Sequence, residues 1–116
     1  MKPINYDGKV FKSILNQGGG DVDSETIFFY HQKDNYLWGH YEGGSVAVGV
    51  LMGQVGPDGT LQFTYWHYNL SGELKSGTCH STAKFNAGVL HLHEKWRWTS
   101  GAKGAGTSII QEIKKE

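Results

Sequence analysis

The stretch Tyr36-Leu37-Trp38-Gly39-His40-Tyr41-Glu42-Gly43-Gly44-Ser45-Val46-Ala47-Val48-Gly49-Val50-Leu51 decides the fold. Apolar and aromatic residues recur at every second position on both sides of a glycine pair, the period of a strand rather than of a helix. Gly43 and Gly44 offer the two left-handed positions that a two-residue hairpin turn needs. A turn centred there predicts Glu42 opposite Ser45 and Tyr41 opposite Val46. It also sets Trp38 opposite Gly49, where a large ring can cover a residue with no side chain.

The same two-residue period runs outward in both directions. Strands are expected over about 9–16, 25–32, 36–42, 45–55, 60–69, 73–82, 88–99 and 106–113. Lys33-Asp34-Asn35, Gly56-Pro57-Asp58-Gly59 and Ser71-Gly72 are turn signals between them. The intervening segments are too short for crossover helices, so consecutive strands must pair antiparallel. The expected fold class is therefore all-β: an up-and-down meander of about eight strands in a single domain, residues 1–116. Closure into a small barrel would remove its exposed edges. Gly39, Gly49, Gly53 and Gly77 lie inside strands, either as bending points or as gaps beside aromatic neighbours. Ser100-Gly101-Ala102-Lys103-Gly104-Ala105-Gly106 reads as a loop that could gate a barrel mouth.

Composition narrows the function. Lys+Arg 11 balances Asp+Glu 11, so the basic footprint of a nucleic-acid or anionic-membrane binder is missing. Glycine at 17 of 116 with only 2 prolines, beside 4 Trp, 6 Tyr and 5 Phe, fits tight turns between aromatic strands. The lone Cys79 excludes an internal disulfide and a cysteine metal cage, and it fits a reducing, cytoplasmic location. Neither a signal peptide nor an apolar run long enough for a membrane span is read in the sequence.

The chemistry concentrates in Leu90-His91-Leu92-His93-Glu94-Lys95-Trp96-Arg97-Trp98. Strand alternation puts Leu90, Leu92, Glu94, Trp96 and Trp98 on one face and His91, His93, Lys95 and Arg97 on the other. Glu94 is the odd member of an inward apolar face. A carboxylate there must be neutralised, paired or hydrogen-bonded, with its pKa raised unless a cation answers it. His91 and His93 project together but beside two cations, which argues for an exposed polar face and no metal. Leu61, Phe63, Tyr65, His67 and Asn69 form a second stripe that turns from apolar to polar, as a strand running from a packed floor to a polar pocket would. The next strand offers Gly77, Cys79 and Ser81 on one face against Leu74, Ser76, Thr78 and His80 on the other. The inner face of these two strands stays open, because one bulge would exchange His67 for Trp66 or Cys79 for His80. Gly18-Gly19-Gly20 precedes Asp21 and Asp23, whose charges would repel a phosphate, so it reads as a turn and no nucleotide cofactor is implied.

Gly59-Thr60-Leu61, Tyr65-Trp66-His67-Tyr68-Asn69, Gly72-Glu73-Leu74, Gly77-Thr78-Cys79-His80-Ser81 and Leu92-His93-Glu94-Lys95-Trp96-Arg97-Trp98 together resemble a family of short bacterial proteins often labelled N-acetylglutamate synthase. The resemblance runs from Gly8-Lys9-Val10-Phe11 to Gly106-Thr107-Ser108. An acetyl-CoA-dependent N-acetyltransferase of the common kind needs an α/β domain with a splayed strand and a pyrophosphate loop. This chain shows neither, so the activity in that label is not carried over. More distantly, the aromatic meander is similar in pattern to avidin-like and lipocalin-like barrels. That similarity implies a cavity for a small apolar or amphipathic ligand.

The leading expectation is a barrel that binds a small organic molecule in a pocket lined by Tyr65, His67, Asn69, Cys79, Ser81, Glu94, Trp96 and Trp98. Two alternatives use the same sequence differently. In one, exposed aromatics such as Trp66 and Tyr68 form a protein interface, a homodimer included. In the other, His67 as base and Glu94 as acid carry out proton transfer or hydrolysis.

Overall fold

The computed structural model describes residues 4–18, 20–99 and 104–114. They form eight strands in chain order: β1 (Val10–Gln17), β2 (Ile27–Lys33), β3 (Tyr36–Gly43), β4 (Val46–Val55), β5 (Leu61–Asn69), β6 (Leu74–Asn86), β7 (Val89–Trp98) and β8 (Ala105–Ile113). Each pairs antiparallel with its neighbour in sequence, and β8 pairs back onto β1 from Val10↔Ile113 to Gln17↔Thr107. The result is a closed barrel. No helix among the described residues is long and apolar enough to cross a membrane.

The strands fall within a few residues of their expected bounds, with one larger difference: β6 runs on to Asn86, past the expected end at 82. Its extension pairs with the start of β7, Phe85↔Leu90 and Asn86↔Val89. The tight turn that joins them uses Ala87 at φ 52 and Gly88 at φ 80.

The β3–β4 hairpin forms where the glycine pair predicts it, in a different register. Gly43 pairs with Val46, so the turn centres on Gly44 and Ser45 rather than on Gly43 and Gly44. A bulge after Val46 shifts the register by one more residue, and Tyr41 comes opposite Gly49 while Trp38 faces Met52. The cause is tertiary. The 23–26 segment packs on the turn, with Thr26 Oγ1 donating to the Gly43 carbonyl at 3.0 Å. A Cβ on Gly43 or Gly44 would strike the Glu25 carbonyl or the Asp23 carboxylate. An aromatic ring does cover Gly49, and it belongs to Tyr41.

One face of each strand fills the interior. Leu61, Phe63, Tyr65, His67 and Asn69 of β5 point inward, as do Gly77, Cys79 and Ser81 of β6 and Leu90, Leu92, Glu94 and Trp96 of β7. The β5–β6 and β6–β7 ladders run without a bulge, so both inner faces left open by the sequence are settled. Gly39, Gly49, Gly53 and Gly77 have ordinary φ values. At Gly39, Gly53 and Gly77 a Cβ would run into backbone of the adjacent strand. They are sites of close approach.

The two barrel ends differ. At one end the segment before β1 crosses beneath the strands, and fully buried Tyr6 donates its hydroxyl to the Gly59 carbonyl at 2.7 Å. Leu37, Leu61, Leu90, Leu92 and Ile110 pack the interior above it. At the other end lie the polar residues of β5 and the loop between β1 and β2. Residues 100–103 of the expected gating loop lie outside the described residues.

Candidate functional site

A cavity of about 50 Å³ lies in the barrel between the apolar floor and the polar end. Its walls include Tyr65, His67, Cys79, Glu94, Trp96 and Trp98, six of the eight residues expected from sequence. The remaining two sit behind that wall. Ser81 is fully buried and donates to Glu94. Asn69 organises the β5–β6 turn, its Oδ1 accepting from the Ser71 and Glu73 amides at 3.1 and 3.0 Å.

Glu94 comes from the centre of β7, where alternation turns it inward between Leu92 and Trp96. Its carboxylate accepts from Ser108 Oγ at 2.9 Å, from Ser81 Oγ at 3.1 Å and from Cys79 Sγ at 3.7 Å. Burial pushes its pKa up to about 7, while the Ser108, Ser81 and Cys79 hydrogen bonds pull the other way. Burial and the neighbouring Glu94 charge raise the Cys79 thiol well above its ordinary value, which leaves it protonated and a poor nucleophile.

The aromatic wall is built by registration of β5 to β7. Trp96 and Trp98 meet edge to face at 5.4 Å, and Trp98 also contacts Tyr65 at 5.8 Å and His67 at 5.9 Å. Trp96 is fixed by its indole N–H, which donates to Asn16 Oδ1 at 3.2 Å, and Asn16 in turn donates to the Val22 carbonyl at 2.7 Å. Gly106 opposes Trp96 on β8, and the indole occupies the space a Cβ there would take.

The polar end carries a chain of hydrogen bonds that the sequence did not reveal. Asp21 Oδ2 meets His67 Nε2 at 2.9 Å, and the Tyr41 hydroxyl meets His67 Nδ1 at 2.8 Å. Lys75 Nζ approaches the same Asp21 oxygen at 3.5 Å and lies over the Trp98 ring at 5.2 Å. Asn69 Nδ2 reaches Asp21 at 3.5 Å. Gly20, Asp21 and Val22 thereby form part of the cavity wall at its mouth. Both ring nitrogens of His67 are engaged, so action as a base would require it to release Asp21 or Tyr41 first.

Sequence reading missed Asn16, Asp21, Tyr41 and Ser108. Ser108 carried a signal, a small polar residue two positions from Ile110 on an inward stripe, like Ser13 on β1. Asp21 carried none, because its loop reaches His67 across 46 residues of chain. His91 and His93 lie half-buried on the outer face, and among the described residues no group of three His, Cys, Asp or Glu is placed to hold a metal ion.

A closed eight-stranded antiparallel barrel with an aromatic and carboxylate-lined interior defines a class of small β-barrel proteins with an internal cavity. Within that class the chain belongs to the avidin-like family, whose model, described as avidin-like protein, matches residues 4–113. No curated protein and no solved structure is a significant match.

Proposed function

We propose that this protein binds a small organic molecule inside the barrel. The observation that carries the reading is the cavity itself, whose wall brings together the Glu94 carboxylate and the paired indoles of Trp96 and Trp98 from β7. Indoles offer a flat apolar surface for a ligand ring or chain, and a few convergent polar groups fix orientation, the usual economy of a ligand pocket. Glu94, braced by Ser81, is the orienting group, and His67, held by Asp21 and Tyr41 with Asn69 behind Asp21, forms part of the polar wall. The lone buried thiol of Cys79 suits a cytoplasmic setting.

Native mass spectrometry of freshly purified protein, set beside its denatured mass, tests this reading. A discrete excess mass that disappears on denaturation is expected, with weaker retention in Glu94→Gln and Trp96→Ala. If both variants stay folded and hold the identified ligand as tightly as wild type, the pocket assignment is wrong.

A second reading is favoured by the outer surface. Trp38, Val50, Met52 and Trp66 are all exposed, and the β3–β4–β5 register sets Trp38 beside Met52 and Val50 beside Trp66. With Val48 and Tyr68 adjoining, this apolar stripe fits self-association through the sheet face.

A further inference from the structure

On the reading of the cavity as a ligand site, we infer that its ligand is a small organic cation of the amidinium or alkylammonium class, held by the Glu94 carboxylate against the rings of Trp96, Trp98 and Tyr65. The first argument is the sign of the interior. Glu94 forms no ion pair with any described residue; its three partners are the neutral donors Ser81, Ser108 and Cys79. Lys75, the cation that contacts Asp21, is already paired with it. A carboxylate has about four acceptor positions. Two donors address Oε2 and only one addresses Oε1, which leaves one position for a ligand N–H.

The second argument is the wall. Aromatic faces carry negative potential, and Trp96, Trp98 and Tyr65 surround the same space. A cation gains from both the rings and the carboxylate, a neutral amide from the hydrogen bond alone, and an anion is opposed by Glu94. The cavity of about 50 Å³ admits a head group of a few heavy atoms.

The groups facing Glu94 from the other strands are Tyr30 of β2, Tyr41 of β3, Tyr65 and His67 of β5 and Cys79 of β6, with Asp21 from the loop. Burial raises all three tyrosines and Cys79, so these stay neutral. The Tyr30 hydroxyl is wholly buried and has no hydrogen-bond partner among the described residues, and a phenol, neutral or anionic, adds no positive charge to balance Glu94.

Tryptophan fluorescence of the intact protein, titrated at constant ionic strength with acetamidinium, acetamide and acetate, three near-isosteric probes, tests the inference. Acetamidinium is expected to bind about tenfold more tightly than acetamide, the margin of an ion pair with Glu94 over a hydrogen bond from a neutral donor, and acetate not at all. Lowering the pH below about 7 protonates Glu94 and should weaken acetamidinium by up to about tenfold for each step of one in pH, and acetamide by less, since it loses a hydrogen bond to an ionised acceptor but no ion pair. Glu94→Gln should erase the preference; if that variant does not fold, the wild-type probe series and pH profile decide alone. Acetamide binding as tightly as acetamidinium overturns the cation assignment and leaves the ligand-site reading standing. Silence from all three probes overturns the cation assignment too, and silence together with an unloaded native mass overturns the ligand-site reading with it.

Discussion

Glu94 concentrates the electrostatics of the interior in one side chain. Its folded pKa of about 7 lies above the ordinary 4.5, so the folded protein holds a proton that the unfolded chain has released between those values. Stability from this group is therefore fully present below about pH 4.5, falls as pH rises towards 7 and levels off above it. The size is on the order of 3 kcal/mol, since each tenfold gain in proton affinity on folding is worth about 1.4 kcal/mol. Glu94→Gln removes the titration. The stability difference between wild type and Glu94→Gln, measured by urea unfolding at about pH 5 and about pH 8, should shift against wild type at the higher pH by that order. A difference independent of pH would show that Glu94 is not a buried titrating group. The residue itself was legible, because alternation through Leu92, Glu94 and Trp96 leaves a carboxylate nowhere to go but inward. Its strongest partner was less so: Ser108 lies 14 residues away, on a strand whose register only the folded barrel sets.

At the scale of an element, the β3–β4 hairpin shows what local chemistry can and cannot specify. A glycine pair between alternating strands forces a turn, since left-handed backbone is cheap only there. Which residues centre the turn is decided by the Asp23–Thr26 segment packed against it and by the bulge in β4. The difference matters to the site, because the observed register brings Tyr41 over Gly49, and its hydroxyl then reaches His67 at 2.8 Å. Gly49→Ala places a methyl group within 3 Å of the Tyr41 ring atoms, which are buried and tied through the hydroxyl to His67. A loss of about 1–3 kcal/mol is expected on urea unfolding, the usual cost of overpacking a filled interior. No measurable loss would mean that Tyr41 yields easily and that its hold on His67 is loose.

At the scale of the whole molecule, closure of β8 onto β1 leaves no edge strand among the described residues. Residues 14–17 of β1 and 82–86 of β6 run beyond their pairing with β2 and β5, so association is expected chiefly through the outer face rather than by strand addition. That face carries the exposed stripe of Trp38, Val50, Met52 and Trp66. Light scattering at two concentrations about tenfold apart should show mass rising towards a dimer, and Met52→Lys with Trp66→Lys should hold the protein monomeric, as charge in an apolar contact is costly to bury. Wild type that is strictly monomeric at both concentrations removes the self-association reading. The sequence by itself determined the all-β meander, the turns between β2 and β3, β4 and β5, and β5 and β6, the inward set on β7 and the outward set of His91, His93, Lys95 and Arg97, because period-two alternation and turn chemistry act over a few residues at a time. Only the tertiary structure decided the inner faces of β5 and β6, the hairpin register and the joining of Asp21 to His67 and of Ser108 to Glu94. Each of these depends on how far one strand slides against another before the barrel closes, a quantity set by packing between distant segments.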